Sequence, residues 1–175
     1  MNQEFIIRNA KEEEFKNIGG LMVQVYSALE GFPKINDQPE YYEVLKNVGD
    51  LTKNSNTELI VAVSEQGKIG GAVVYFRDLK DYGSGGSISL ENEKNASGFR
   101  LLAVDPETRG MGIGKKLILE CIQRSEASNF EQIIIHSTKT MHTAWKMHEK
   151  LGFKRSEELD FMLGDLGVFG FRYIL

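Results

Sequence analysis

The segment Phe99-Arg100-Leu101-Leu102-Ala103-Val104 is apolar enough for a buried strand, and it stops at the turn pair Asp105-Pro106. Three alternating glycines follow, Gly110, Gly112 and Gly114. From there Ile113, Leu117, Ile118, Cys121 and Ile122 recur at helical spacing. A strand, a glycine turn and a helix start in direct succession leave outward-pointing backbone N–H groups with no partner inside the helix. A phosphate can accept those hydrogen bonds, helped by the positive end of the helix dipole. Glycine also lets a bulky anion approach the backbone closely, and Arg109 adds a fixed charge with several donors. The same residues suit an ordinary tight turn before a helix. They are not the dinucleotide fingerprint, whose third gap differs. Nor are they a Walker loop, because Lys116 rather than Ser or Thr follows Gly114-Lys115.

Composition narrows the classes. The 175 residues, 41% of them hydrophobic, suit one domain over 1–175 with a substantial core. The longest apolar runs, such as Leu59-Ile60-Val61-Ala62-Val63, are far too short to span a membrane. Met1-Asn2-Gln3-Glu4 lacks the basic start of a signal peptide. A single cysteine, Cys121, excludes an internal disulfide and suits a reducing cytoplasm, and its apolar helix face assigns it to the core. The net charge of −4 argues against a nucleic-acid partner. No metal is expected, since His136, His142 and His148 have no cysteine beside them at ligand spacing.

Along the chain, residues 5–7 read as a strand and 11–29 as a helix interrupted by Gly19-Gly20. A second helix is expected over 39–53, with Pro39 in its first turn. Strands over 58–64 and 68–77 flank the turn Glu65-Gln66-Gly67. The polar stretch 78–96 is long for a loop, either a binding segment or a surface excursion. Gln132-Ile133-Ile134-Ile135-His136 reads as a buried strand, and a helix over 140–151 follows. The tail 168–175 is apolar on both faces, as an interior strand or one covered by a second subunit would be, so a homodimer is among the expectations. This order predicts an α/β fold around a mixed, mostly antiparallel central sheet flanked by helices.

Two blocks carry a family resemblance. Arg109-x-x-Gly112-x-Gly114 after a Leu-Ala-Val strand resembles the acyl-CoA-binding motif of the GNAT N-acetyltransferases. Ala144-Trp145-Lys146-Met147-His148-Glu149-Lys150-Leu151-Gly152-Phe153 is similar to the last helix of that family and its Leu-Gly-Phe exit. The resemblance implies that the fourth and fifth strands, here 98–104 and 132–136, splay apart around acetyl-CoA, the co-substrate. It places the diphosphate on the amides of Arg109, Gly110, Met111, Gly112, Ile113, Gly114 and Lys115. The pantetheine would lie beside Leu102, Ala103 and Val104, and an N–H near Leu102 or Ala103 would polarise the thioester.

The resemblance further implies an acetyltransferase in which a primary amine of a small molecule or protein attacks the thioester directly. His148 stands where the family usually carries a tyrosine that protonates the leaving thiolate. An imidazole there can donate a proton as imidazolium or accept one when neutral; alternatively it is a buried histidine bonded to a carbonyl. The strand holds no carboxylate for a general base, which leaves Glu91, Glu93 or water. Arg100 can pair with an acidic substrate group or a neighbouring carboxylate. The acidic residues Asp78, Asp81, Glu91 and Glu93 favour a cationic acceptor. Loss of the tyrosine keeps a second reading open, a catalytically weak acyl-CoA-binding sensor or regulatory protein. A phosphate-loop nucleotide binder is a third.

Overall fold

Runs of Val and Ile set the strands, because β-branched side chains pack well on a pleated, buried surface. In the computed structural model, which describes residues 3–83, 90 and 92–175, β1 (Phe5–Asn9), β2 (Thr57–Ser64) and β3 (Ile69–Phe76) pair antiparallel in sequence order. β4 (Ala96–Val104) continues antiparallel beside β3, then pairs parallel with β5 (Gln132–Ser137). β8 (Leu166–Ile174) lies antiparallel to β5 and also pairs the short strands β6 (Lys154–Arg155) and β7 (Phe161–Leu163). The expected mixed, mostly antiparallel sheet is present, and its one parallel step is the β4–β5 crossover.

Helices cover both faces. α1 (Phe15–Ser27) and α2 (Pro39–Lys46) enclose a core with Ile18, Met22, Leu45, Val61, Val74 and Ile134. α3 (Ile113–Ala127) and α4 (His142–Leu151) belong to the opposite face, with Leu117, Ile118, Cys121, Ile60, Val73 and Ile133. Cys121 is fully buried, and desolvation pushes its thiol far above the ordinary range, consistent with a packing role. Among the described residues no helix is long and apolar enough to cross a membrane.

One expectation changes. The helix expected over 39–53 stops at Lys46, where Asn47 leaves helical geometry (φ −106°, ψ 34°), and a tighter turn continues over Val48–Lys53. The Asn47 side-chain amide donates to the Glu43 carbonyl at 3.0 Å and so satisfies a helix-end acceptor. Of the polar stretch 78–96, residues 84–89 and 91 lie outside the described residues, and Leu79, Tyr82 and Leu90 are buried. The apolar tail takes the first of its two expected places, an interior strand: β8 lies between β5 and β6.

Candidate active site

The glycine turn is fixed from below. Asp105 N–H donates to Gly70 O at 2.9 Å, and the buried Thr108 hydroxyl donates to the same carbonyl at 2.9 Å. Gly110 and Gly112 then take left-handed backbone angles, φ +83° and +77°, with open space where a Cβ would stand. The first bond of α3 runs from Lys116 N–H to Gly112 O, leaving the N–H groups of Ile113, Gly114 and Lys115 without a partner inside the helix. Arg109 and Lys115 are exposed beside them. These groups edge a cleft of about 730 Å³ that runs from the C-terminal half of α1 to the start of α4.

The cleft exists because two strands part. β4 and β5 pair only at Ala96–Gln132, Ser97–Ile133 and Gly98–Ile134, yet β4 runs on to Val104 and β5 to Ser137. A bulge in β4 lies in the parted region. Between the pairs Val74–Arg100 and Ala72–Ala103, Val73 faces two residues, Leu101 and Leu102, and Leu101 has a left-handed φ of 57°. The bulge breaks the in–out alternation. Leu101 and Ala103 pack toward α1, with Arg100 on the same side against Tyr82, whereas Leu102 and Val104 pack toward α3 and α4. Since Asp105 N–H points to β3, backbone alternation turns the N–H groups of Leu102 and Val104 away from β3, into the gap.

A second cleft, about 430 Å³, opens on the α1–α2 side, and Tyr26, Leu102, Met141 and Ala144 line both. Tyr82, Arg100 and His136 meet in it. Arg100 donates from Nη1 to Tyr82 O at 2.6 Å and also to Gly83 O, and its guanidinium lies 5.5 Å from the Tyr82 ring centre. His136 Nε2 is 2.9 Å from Leu159 O, a carbonyl that can only accept, so this nitrogen carries the hydrogen. Nδ1 then accepts from the Tyr82 hydroxyl at 3.1 Å. Burial holds the His136 pKa below its ordinary value, so the ring is neutral near pH 7.

His148 is the buried residue of α4, only 4% exposed, and it is ringed by Phe99, Phe153 and Phe171. Its Nδ1 has no hydrogen-bond partner among the described residues. Desolvation lowers its pKa to about 4, which favours the neutral imidazole near neutral pH.

A model of the acetyltransferase (GNAT) family matches residues 22–153. The chain belongs to this family. An uncharacterised N-acetyltransferase of Schizosaccharomyces pombe is 28% identical over 120 residues, 66% of this chain and 72% of that protein. Among solved structures, a GNAT-family acetyltransferase of Staphylococcus aureus superposes with a TM-score of 0.73 at 18% identity, covering 98% of this chain and 99% of the other. A Salmonella typhimurium protein solved with its cofactor acetyl-CoA gives a TM-score of 0.64 at 15% identity, covering 98% and 94%.

In this GNAT chain the first cleft gathers Leu102, Val104, Arg109, Gly110, Gly112, Ile113, Gly114 and Lys115. Ala103 is buried with its side chain in the α1-side core, so only its strand backbone is near the gap, and Met111 is exposed outside the lining residues. His148 lines the second cleft. Glu93 does not: it forms a two-point ion pair with Arg172, at 2.9 Å on each nitrogen, which holds its carboxylate below the ordinary range. Glu91 lies outside the described residues. Sequence reading set His136 aside and gave Tyr82 no role. Nothing local marks either of them, because their bond joins residues 54 positions apart.

Proposed function

We propose that this protein is an acetyl-CoA-dependent N-acetyltransferase that moves an acetyl group to a primary amine of a small molecule or protein by direct attack on the thioester. The observation that carries this reading is the parting of β4 from β5 beyond Gly98–Ile134, with the glycine turn at the mouth of one cleft and a second cleft joined to it. The residues fit the co-substrate. The free amides at the start of α3, together with Arg109 and Lys115, suit a diphosphate. The N–H groups of Leu102 and Val104 suit the amides of a pantetheine arm laid along the open edge, as an added strand would be.

Acetyl-CoA supplies an activated acyl carbon. The amine nitrogen forms a bond to that carbon, the carbon–sulfur bond breaks, and one proton leaves the nitrogen while sulfur gains one. A donor from Leu102 N–H stabilises the charge that grows on the thioester oxygen. His148, as a neutral imidazole, donates an N–H hydrogen bond to the departing thiolate, and the proton that sulfur gains comes from water. The acceptor amine occupies the second cleft and loses its proton to water there, since Glu93 is committed to Arg172.

A second reading, an acyl-CoA sensor with little turnover, draws on the suppressed imidazolium of His148. One assay separates the two: thiol release from acetyl-CoA measured across a panel of amines, beside acetyl-CoA binding by calorimetry. Amine-dependent release above hydrolysis is expected. Tight binding with no amine-dependent release selects the sensor, and absence of binding removes both readings.

A further inference from the structure

The second cleft carries its two charges at different depths. Its described lining residues of charged type are Glu40 and Arg100, while burial lowers the pKa of both His136 and His148. Glu40 is exposed on the first turn of α2. Arg100 is half-buried on β4, deep between Tyr26, Tyr41 and Tyr82. Among the described residues no carboxylate lies within ion-pair distance of it.

The guanidinium is also half spent in a particular way. Both carbonyls it serves, those of Tyr82 and Gly83, are bonded from Nη1. Among the described residues no carboxylate or carbonyl meets the Nε and Nη2 edge, and the Tyr41 hydroxyl is the neutral group that interacts with the guanidinium. That edge is the fork that meets a carboxylate with two parallel bonds, and the Nη1 anchor holds it in place beforehand. Unspent donors on a half-buried cation are costly to leave unpaired, so the site favours an anion.

We infer that the acceptor is an amine that also bears a carboxylate, and that Arg100 selects it. This rests on the acetyltransferase reading above and names its substrate class. Position sets the size. Leu102, whose N–H faces the thioester side of the gap, is two residues beyond Arg100 across the bulge, so the two lie at most roughly 7 Å apart along the chain. An amine at the thioester and a carboxylate on Arg100 therefore belong to one small molecule, of amino-acid size. The cationic acceptor expected from the acidic loop is disfavoured: Arg100 repels it, and Glu93 is neutralised by Arg172.

The test compares three amines on one carbon skeleton: an amino acid, its amide and its decarboxylated amine. With wild-type protein the amino acid shows a kcat/KM at least tenfold above the other two, with most of the difference in KM. Arg100→Gln erases that preference by raising KM for the acid alone, and Arg100→Lys restores part of it, since it keeps charge but loses the fork. Acetyl-CoA affinity stays within twofold in both variants. Equal use of the three amines by the wild type overturns the inference, as does a preference that survives Arg100→Gln. If no amine turns over, calorimetry of the same three ligands on the coenzyme A-loaded protein reads the selection directly, and equal or absent binding overturns it. Should Arg100→Gln fail to fold, the wild-type ranking decides, together with competitive inhibition by the hydroxy acid of the same skeleton. Failure of acetyl-CoA itself to bind would instead remove the acetyltransferase reading.

Discussion

His148 shows how one side chain can join stability to chemistry. The folded protein refuses its proton until about pH 4, while an unfolded chain takes it near 6.5. Between those values the unfolded state binds more protons, so stability is full above 6.5 and falls as the pH drops toward 4. The shift corresponds to about 3 kcal/mol at most. His148→Phe, of similar shape among Phe99, Phe153 and Phe171, should flatten that part of a melting-temperature profile and match or exceed wild type at pH 7. It should also slow amine-dependent thiol release by about tenfold or more while acetyl-CoA affinity holds; an unchanged rate would leave His148 a packing residue only. Gly112 answers a different question. Its φ of +77° is strained for alanine although the space is open, so Gly112→Ala should cost about 1–2 kcal/mol of stability. Because the amides of Ile113–Lys115 would turn, acetyl-CoA affinity should fall by about tenfold or more by calorimetry, and equal affinity would argue that the turn does not hold the diphosphate.

Elements whose signals were local were legible from sequence. The start of α3 at Ile113 and the strand before it follow from consecutive residues, and so do β2, β3 and their glycine turn. The end of α2 was not legible, because Tyr41, Tyr42, Leu45 and Val48 keep helical spacing across the break at Asn47. What decides there is packing of the following turn, with Val48 and Gly49 buried against the α1 side. Gly19 carries the same lesson. Read as a weak point in a helix, it is instead the place where α1 and α2 meet: a Cβ on Gly19 would stand 2.0 Å from the Lys46 carbonyl oxygen. In an open helix, Gly→Ala stabilises by about 0.4–1 kcal/mol. Here Gly19→Ala should destabilise by about 1–3 kcal/mol in urea unfolding, since backbone must move to admit the methyl. It should also raise the acceptor KM, because α1 and α2 bring Tyr26 and Tyr41 into the second cleft.

At the scale of the molecule, the two clefts differ in how their residues are gathered. The first draws Arg109, Lys115 and the glycine turn from one continuous stretch, 104–115, so its chemistry could be read along the chain. The second joins Tyr26, Tyr41, Tyr82, Arg100 and His136, which only the sheet order and the β4 bulge bring together, and Leu101-Leu102 gives no sign in sequence that alternation fails there. Both clefts open where the sheet is weakest, since beyond Gly98–Ile134 the halves β1–β4 and β5–β8 share no strand pairing. A ligand laid in that gap bridges the halves and is bound by the folded state alone. At a concentration one hundred times its dissociation constant, acetyl-CoA should add about 2.7 kcal/mol, which for a chain of this size raises the melting temperature by about 5–10 °C. Amide exchange should slow together at 102 and 104, at 113–115 and along the inner edge of β5, because closing the gap protects both of its banks. Protection confined to 113–115 would describe an anion held on the helix start, with the strands beside it still apart.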